Sequence, residues 1–163
     1  MRKALLLFAI LGLAGTPWAA DPIIGKWKLN VSKSTYSQVY LSLQKRQAPK
    51  EGGGEGFEVY REIAGNQLEL TRSFVRQDGS GGSSTYAFPS QGGVATVPKN
   101  YPNAIIETFV APGEWYVTFL RDGKQLSAVH KVVSKDGKTL TQTTTGLAPD
   151  ETFFEQIEVY DKQ

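Results

Sequence analysis

Three Asp-Gly pairs, Asp78-Gly79, Asp122-Gly123 and Asp136-Gly137, each interrupt a stretch in which apolar and polar residues alternate. Both residues of such a pair tolerate the positive φ that a tight hairpin turn demands. The flanking stretches have a period of two: Phe57, Val59 and Ile63; Leu68, Leu70 and Phe74; Trp115, Val117 and Phe119; Leu126, Ala128, His130 and Val132. The pattern predicts an all-β fold, an antiparallel meander of about ten strands. They are expected near 24–30, 56–63, 66–76, 82–89, 93–97, 103–110, 114–121, 124–134, 138–145 and 152–161. Closing that many short strands into a barrel removes their exposed edges.

One segment departs from the alternation. Tyr36, Val39, Tyr40 and Leu43 fall at i, i+3, i+4 and i+7, the spacing of a short amphipathic helix. Val39, Leu41 and Leu43 also alternate as a strand would, and helix is preferred.

Residues 1–20 read as a secretory signal peptide, with Arg2 and Lys3, an apolar run from Ala4 to Leu13, and Ala19-Ala20 before the cut. The run is too short to span a bilayer. Removing twenty of the 163 residues leaves 143 (21–163), the usual size of a single domain. The expected product is exported, periplasmic or secreted. Arg2 and Lys3 account for the net charge of +2, so the remaining bases and acids balance and nothing favours nucleic acid. Without cysteine, disulfides, thiol catalysis and cysteine-based zinc sites are excluded. No residue pattern implies a cofactor or a metal.

"GKWKLN" at 25–30, with Gly25 and Trp27 in the first strand, resembles the opening strand of the lipocalin and fatty-acid-binding-protein (calycin) superfamily. "DPIIGKWKLNVSKS", "VVSKDGKTLTQTTTG" and the closing "VYDKQ" together resemble short, uncharacterised exported bacterial lipocalin-like proteins. The resemblance implies a roughly ten-stranded barrel with Trp27 as a structural plug across its closed end. It also implies a cavity for a small apolar molecule or lipid, and a helical cap at 35–47. There are departures. The Thr-Asp-Tyr motif of lipocalins is missing, and no arginine in the last strand is placed to cover Trp27. Where fatty-acid-binding proteins hold the ligand carboxylate with Arg-x-Tyr, this chain has Glu158-Val159-Tyr160. A glutamate there should repel a fatty acid. Tyr160 remains a candidate polar contact, although periodicity puts Ile157 and Val159 on the more apolar face.

Phe74, Phe109, Trp115 and Phe119 are the expected cavity lining, unless they fill the barrel completely. Arg72 shares a face with Leu68, Leu70 and Phe74, so it either pairs with an acid such as Glu158 or captures an anionic ligand. His130, the only histidine, would point inward with Leu126, Ala128 and Val132, where it could ligate haem or act as a base. The alternative is an ordinary wall residue. Ser127 and Ser134 lie too far from it along a strand to form a triad. Glu155 and Glu158 point to opposite faces and cannot form an acid and base pair. The acidic last strand is expected to pair with Lys124, Lys131, Lys135 and Lys138. The expectation is a monomeric, non-enzymatic binder of a small apolar ligand. The alternative is an envelope interaction or inhibitor module with a filled barrel.

Overall fold

The computed structural model describes residues 20–43, 48–50, 52–99 and 104–163. The apolar leader at 1–19 and positions 44–47 of the expected cap lie outside them. The strands are β1 (Gly25–Leu29), β2 (Gly54–Ile63), β3 (Gln67–Arg76), β4 (Gly81–Pro89), β5 (Gly93–Val94), β6 (Ala104–Ala111), β7 (Glu114–Arg121), β8 (Lys124–Val133), β9 (Thr139–Leu147) and β10 (Phe153–Lys162). All are antiparallel, in the order β4-β3-β2-β1-β10-β9-β8-β7-β6-β5. The two ends of the sheet meet where Ala87 and Thr96 exchange backbone hydrogen bonds of 3.2 and 2.7 Å, giving a nearly closed barrel. A short 3₁₀ turn, Val31–Lys33, and a helix α1, Gln38–Leu43, follow β1.

The turn chemistry matches the sequence pattern. Asp122 (φ 51°) and Gly123 (φ 75°) are both left-handed, as a two-residue hairpin turn requires. In the helix, however, Leu41 is the buried residue and Leu43 is exposed. Leu41 belongs to the alternating set, so the docked face draws on both spacings. From the helical set, Tyr40 stacks at a tilt on Phe154 of β10, 5.1 Å between ring centres.

One end of the barrel is sealed. Trp27 and Trp115 have no exposed surface, and Ile23, Leu68, Phe88 and Leu140 are buried around them. Trp115 sits edge-on to Phe88 (5.4 Å) and Phe109 (5.2 Å). The segment before β1 satisfies both indoles. Trp27 Nε1 donates to the Ile23 carbonyl at 2.7 Å, and Trp115 Nε1 donates to Asp21 Oδ2 at 3.1 Å. The Gly113 N–H also donates to Asp21, at 3.1 Å.

Gly25-x-Trp27 now has a physical account. Gly25 has φ 141°, and a side chain there would meet the Lys162 side chain at 2.8 Å. Lys162 passes over it to place Nζ 4.9 Å from the Trp27 ring. A last-strand cation does cover Trp27, but it is a lysine rather than an arginine. Removing the plug should be costly: Trp27→Ala is expected to destabilise the barrel by about 3–5 kcal/mol, read as a lower urea midpoint.

Candidate functional site

Between the sealed floor and the other end, the inward face carries charge. Glu58 (β2) and Arg72 (β3) are cross-strand neighbours, and the Arg72 Nε lies 2.7 Å from Glu58 Oε1. Glu58 Oε2 accepts from the Tyr60 hydroxyl at 2.7 Å and from Gln142 Nε2, across the barrel on β9, at 2.5 Å. Arg72 also reaches Gln142 Oε1 at 3.5 Å. A second centre forms on Glu107 of β6, whose Oε1 accepts from the Tyr86 hydroxyl at 2.7 Å and from Lys131 Nζ at 3.3 Å. Lys131 has no exposed surface, and its Nζ lies over the Tyr60 ring at 5.2 Å, linking the two centres.

Burial alone would raise the Glu58 carboxyl, but Arg72, Lys131 and the hydrogen bonds from Tyr60 and Gln142 outweigh it and hold the pKa below its ordinary 4.5. Lys131 responds the other way, since burial lowers its pKa from 10.5 more than Glu107 restores it. Tyr60, Tyr86 and Tyr160 are pushed well above 10, first by burial and then by the neighbouring carboxylates, so each stays a neutral donor.

Two expected faces are reversed. On β2 the inward residues are Glu58 and Tyr60 rather than Phe57 and Val59. On β8 they are Ser127, Val129 and Lys131 rather than Leu126, Ala128, His130 and Val132. His130 therefore lies outside the barrel, stacked on Tyr116 at 4.3 Å with Nε2 2.9 Å from Glu114 Oε1, and it shares no point of convergence with the lumen. In both strands the inward face carries a charge held by partners inside the barrel: Glu58 by Arg72 on the neighbouring strand and Gln142 across the lumen, Lys131 by Glu107 two strands away. Lys131 thus pairs with Glu107 and not with the last strand. The acid beside Arg72 is Glu58, not Glu158. Tyr160 points inward, on the same face as Phe154, Gln156 and Glu158, rather than Ile157 and Val159.

Arg72, Phe74, Phe109, Trp115 and Phe119 also face inward, but in two different settings. Trp115 is part of the floor. Phe74, Phe109 and Phe119 retain accessible surface, and so does Arg72: 33 % of its side chain is accessible although it lies deep among protein atoms. At the end away from the floor α1 packs on β10, and a shallow hollow lined by Val39, Leu43, Ala148 and Pro149 opens beside it. A more polar groove, lined by Lys28, Asn30, Glu55, Arg76 and Asp161, runs over the wall outside. Glu58, Glu107, Gln142 and Lys131 did not stand out as a set in the sequence. The available signal was a lone charge inside an otherwise apolar run, as in "AIIETFV" and "SAVHKVV".

No protein-family model and no curated protein matches the sequence. Solved structures do match by shape. Caenorhabditis elegans lipid binding protein 8 aligns with TM-score 0.60 and 14% identity over 89% of this chain and 98% of its own. Echinococcus granulosus fatty-acid-binding protein 1 gives 0.57 and 16% over 86% and 97%, and the fluorescent protein UnaG gives 0.57 and 15% over 86% and 97%. The chain has the calycin fold of lipocalins and fatty-acid-binding proteins.

The lowered Glu58 pKa sets a sign for acid stability. Its contribution is present above the unfolded value near 4.5 and is lost as pH falls through the lower folded value. Glu58→Gln should cost about 2–4 kcal/mol at pH 7, the low side of a stranded buried charge because Arg72 keeps part of its surface wet. In urea titrations repeated at falling pH, the gap to wild type should narrow below pH 4.5.

Proposed function

We propose that this calycin barrel binds a small, largely apolar molecule non-covalently in its lumen, as an exported monomer rather than as an enzyme. The observation that carries the proposal is the contrast between the two ends. The floor at Trp27 and Trp115, with Phe109 edge-on to it, is sealed, whereas Arg72, Phe74 and Phe119 keep accessible surface while facing inward. Apolar walls with a few placed polar groups are the usual make-up of a small-molecule cavity. Two proteins of the same fold are named for binding fatty acid and lipid, which favours this use of the barrel.

In this proposal Phe74, Phe109 and Phe119 contact the apolar body of the ligand, and Arg72 and Tyr160 face its polar end. The helix α1 lies beside the entrance. No helix among the described residues is long and apolar enough to cross a membrane. The signal peptide at 1–20 is the ground for export, and a periplasmic or secreted location follows from it.

A neutral hydrophobic dye such as Nile red should bind with a stoichiometry of one per chain, and Phe119→Asp should weaken it by about tenfold or more, since a carboxylate would then face the apolar wall. Native mass spectrometry of the protein purified from an exporting host should show a small molecule released on denaturation. Absence of both dye uptake and a released molecule overturns the proposal.

A further inference from the structure

The three Asp-Gly pairs are alike in sequence but not in setting. Such a pair is open to one reaction of the chain with itself, because glycine has no side chain to shield its backbone nitrogen from the preceding carboxyl. Two of the pairs are restrained at both reacting groups. Asp78 Oδ1 accepts from the Ser80 backbone N–H at 2.9 Å and from the Ser80 hydroxyl at 2.6 Å, and the Gly79 N–H donates to the Arg76 carbonyl at 3.0 Å. Asp136 Oδ1 accepts from the Ser134 hydroxyl at 2.6 Å and from the Lys138 N–H at 3.1 Å, and the Gly137 N–H donates to the Ser134 carbonyl at 2.8 Å. These bonds, the serine hydroxyls' first, hold both carboxyls below their ordinary 3.8. Asp122-Gly123 has neither restraint. It alone connects β7 to β8, and both of its residues are exposed. Among the described residues the Asp122 carboxylate accepts no hydrogen bond and the Gly123 N–H has no acceptor.

We infer that Asp122 is a site of spontaneous covalent modification in the folded protein, converting to isoaspartate ahead of Asp78 and Asp136. The Gly123 nitrogen attacks Cγ of the protonated Asp122 carboxyl. The N–Cγ bond forms, the nitrogen's proton and the carboxyl hydroxyl leave together as water, and a succinimide ring closes. Water then adds to one of the two ring carbonyls. Opening at the N–Cγ bond restores aspartate, whereas opening at the bond from nitrogen to the main-chain carbonyl carbon leaves the chain running through the side chain, with a free α-carboxylate. The water lost is regained, so the mass is unchanged and no oxidant or partner is consumed. A carboxylate held by hydrogen bonds is protonated less often, and an amide nitrogen tied to a carbonyl must first be freed, which is why the other two pairs lag. The product carries one additional methylene in the backbone of the shortest kind of hairpin turn, at the end of the strand that bears Phe119.

The test is ageing of the intact folded protein at neutral pH in water enriched in heavy oxygen, sampled over weeks by peptide mapping. Hydrolysis of the succinimide leaves a heavy oxygen at the reacting site, and electron-transfer fragmentation tells isoaspartate from aspartate. Isoaspartate is expected to form at Asp122 about fivefold or more faster than at Asp78 or Asp136, the scale of one hydrogen bond that must break first. In protein held unfolded in urea the three rates should converge, because the pairs are then chemically alike. Ser80→Ala, which removes one donor to Asp78, should raise the rate at that site severalfold and leave Asp122 unchanged. Equal rates in the folded protein, faster conversion at Asp78 or Asp136, or no conversion at Asp122 while the unfolded chain converts, each overturns the inference. So does a ranking that persists in urea, since the selectivity then owes nothing to the fold.

Discussion

The carboxylate of Glu58 is the point on which the interior is organised. A charge in the middle of a barrel wall is tolerated only when its lone pairs are filled, and Glu58 fills them from three strands: Tyr60 on β2, Arg72 on β3 and Gln142 on β9. The strand β9 is not a neighbour of β2 or β3 in the sheet, so this contact crosses the lumen instead of running along the wall. Glu107 joins β4, β6 and β8 through a single oxygen, Oε1, and its bond from Tyr86 spans the seam where the sheet closes on itself. Apolar packing at the floor loses contact area when a strand shifts. The charge pairs add a further cost, because a displaced strand would leave an ion unpaired in a buried place.

The same belt divides the barrel into two compartments with different tasks. Below it, Trp27, Trp115, Phe88 and Leu140 pack to exclusion of solvent, and the chain before β1 supplies the acceptors their indoles need. Above it, Phe74 and Phe119 are only partly covered, and Arg72 in the belt itself keeps accessible surface. Stability is concentrated at one end, which leaves the walls at the other free to be shaped by what they contact.

Much of the fold was legible in the sequence, and the reasons are local. The Asp-Gly pairs each put their glycine at positive φ, Asp122-Gly123 with both residues left-handed, and all ten strands lie close to the places their alternation indicates. What alternation could not convey was the direction of β2 and β8. A period of two gives two faces without saying which is inside. The rule that the apolar face is inside fails where a charge is buried against partners on other strands, as at Glu58 and Lys131. His130 was misplaced with the whole of its strand for that reason. The cover over Trp27 escaped notice because an arginine was sought where Lys162 performs the same contact. Leu41 was missed because a helix of six residues is too short for its spacing to define a face.

The pairing of β1 with β10 has a consequence in time. Leu29 lies against Tyr160 and Trp27 against Lys162, so the first strand finds one of its two neighbours only when the last residues of the chain exist. The hairpins from β2 to β4 and from β6 to β10 are local and can form as they emerge. The Gln142 bond to Glu58 and the Lys162 cover on Trp27 both depend on segments near the carboxyl terminus. Contacts of such long sequence separation slow folding, since loop entropy is lost before they form. In a barrel wired in this way the side between β1 and β10 is closed by contacts that no local hairpin supplies.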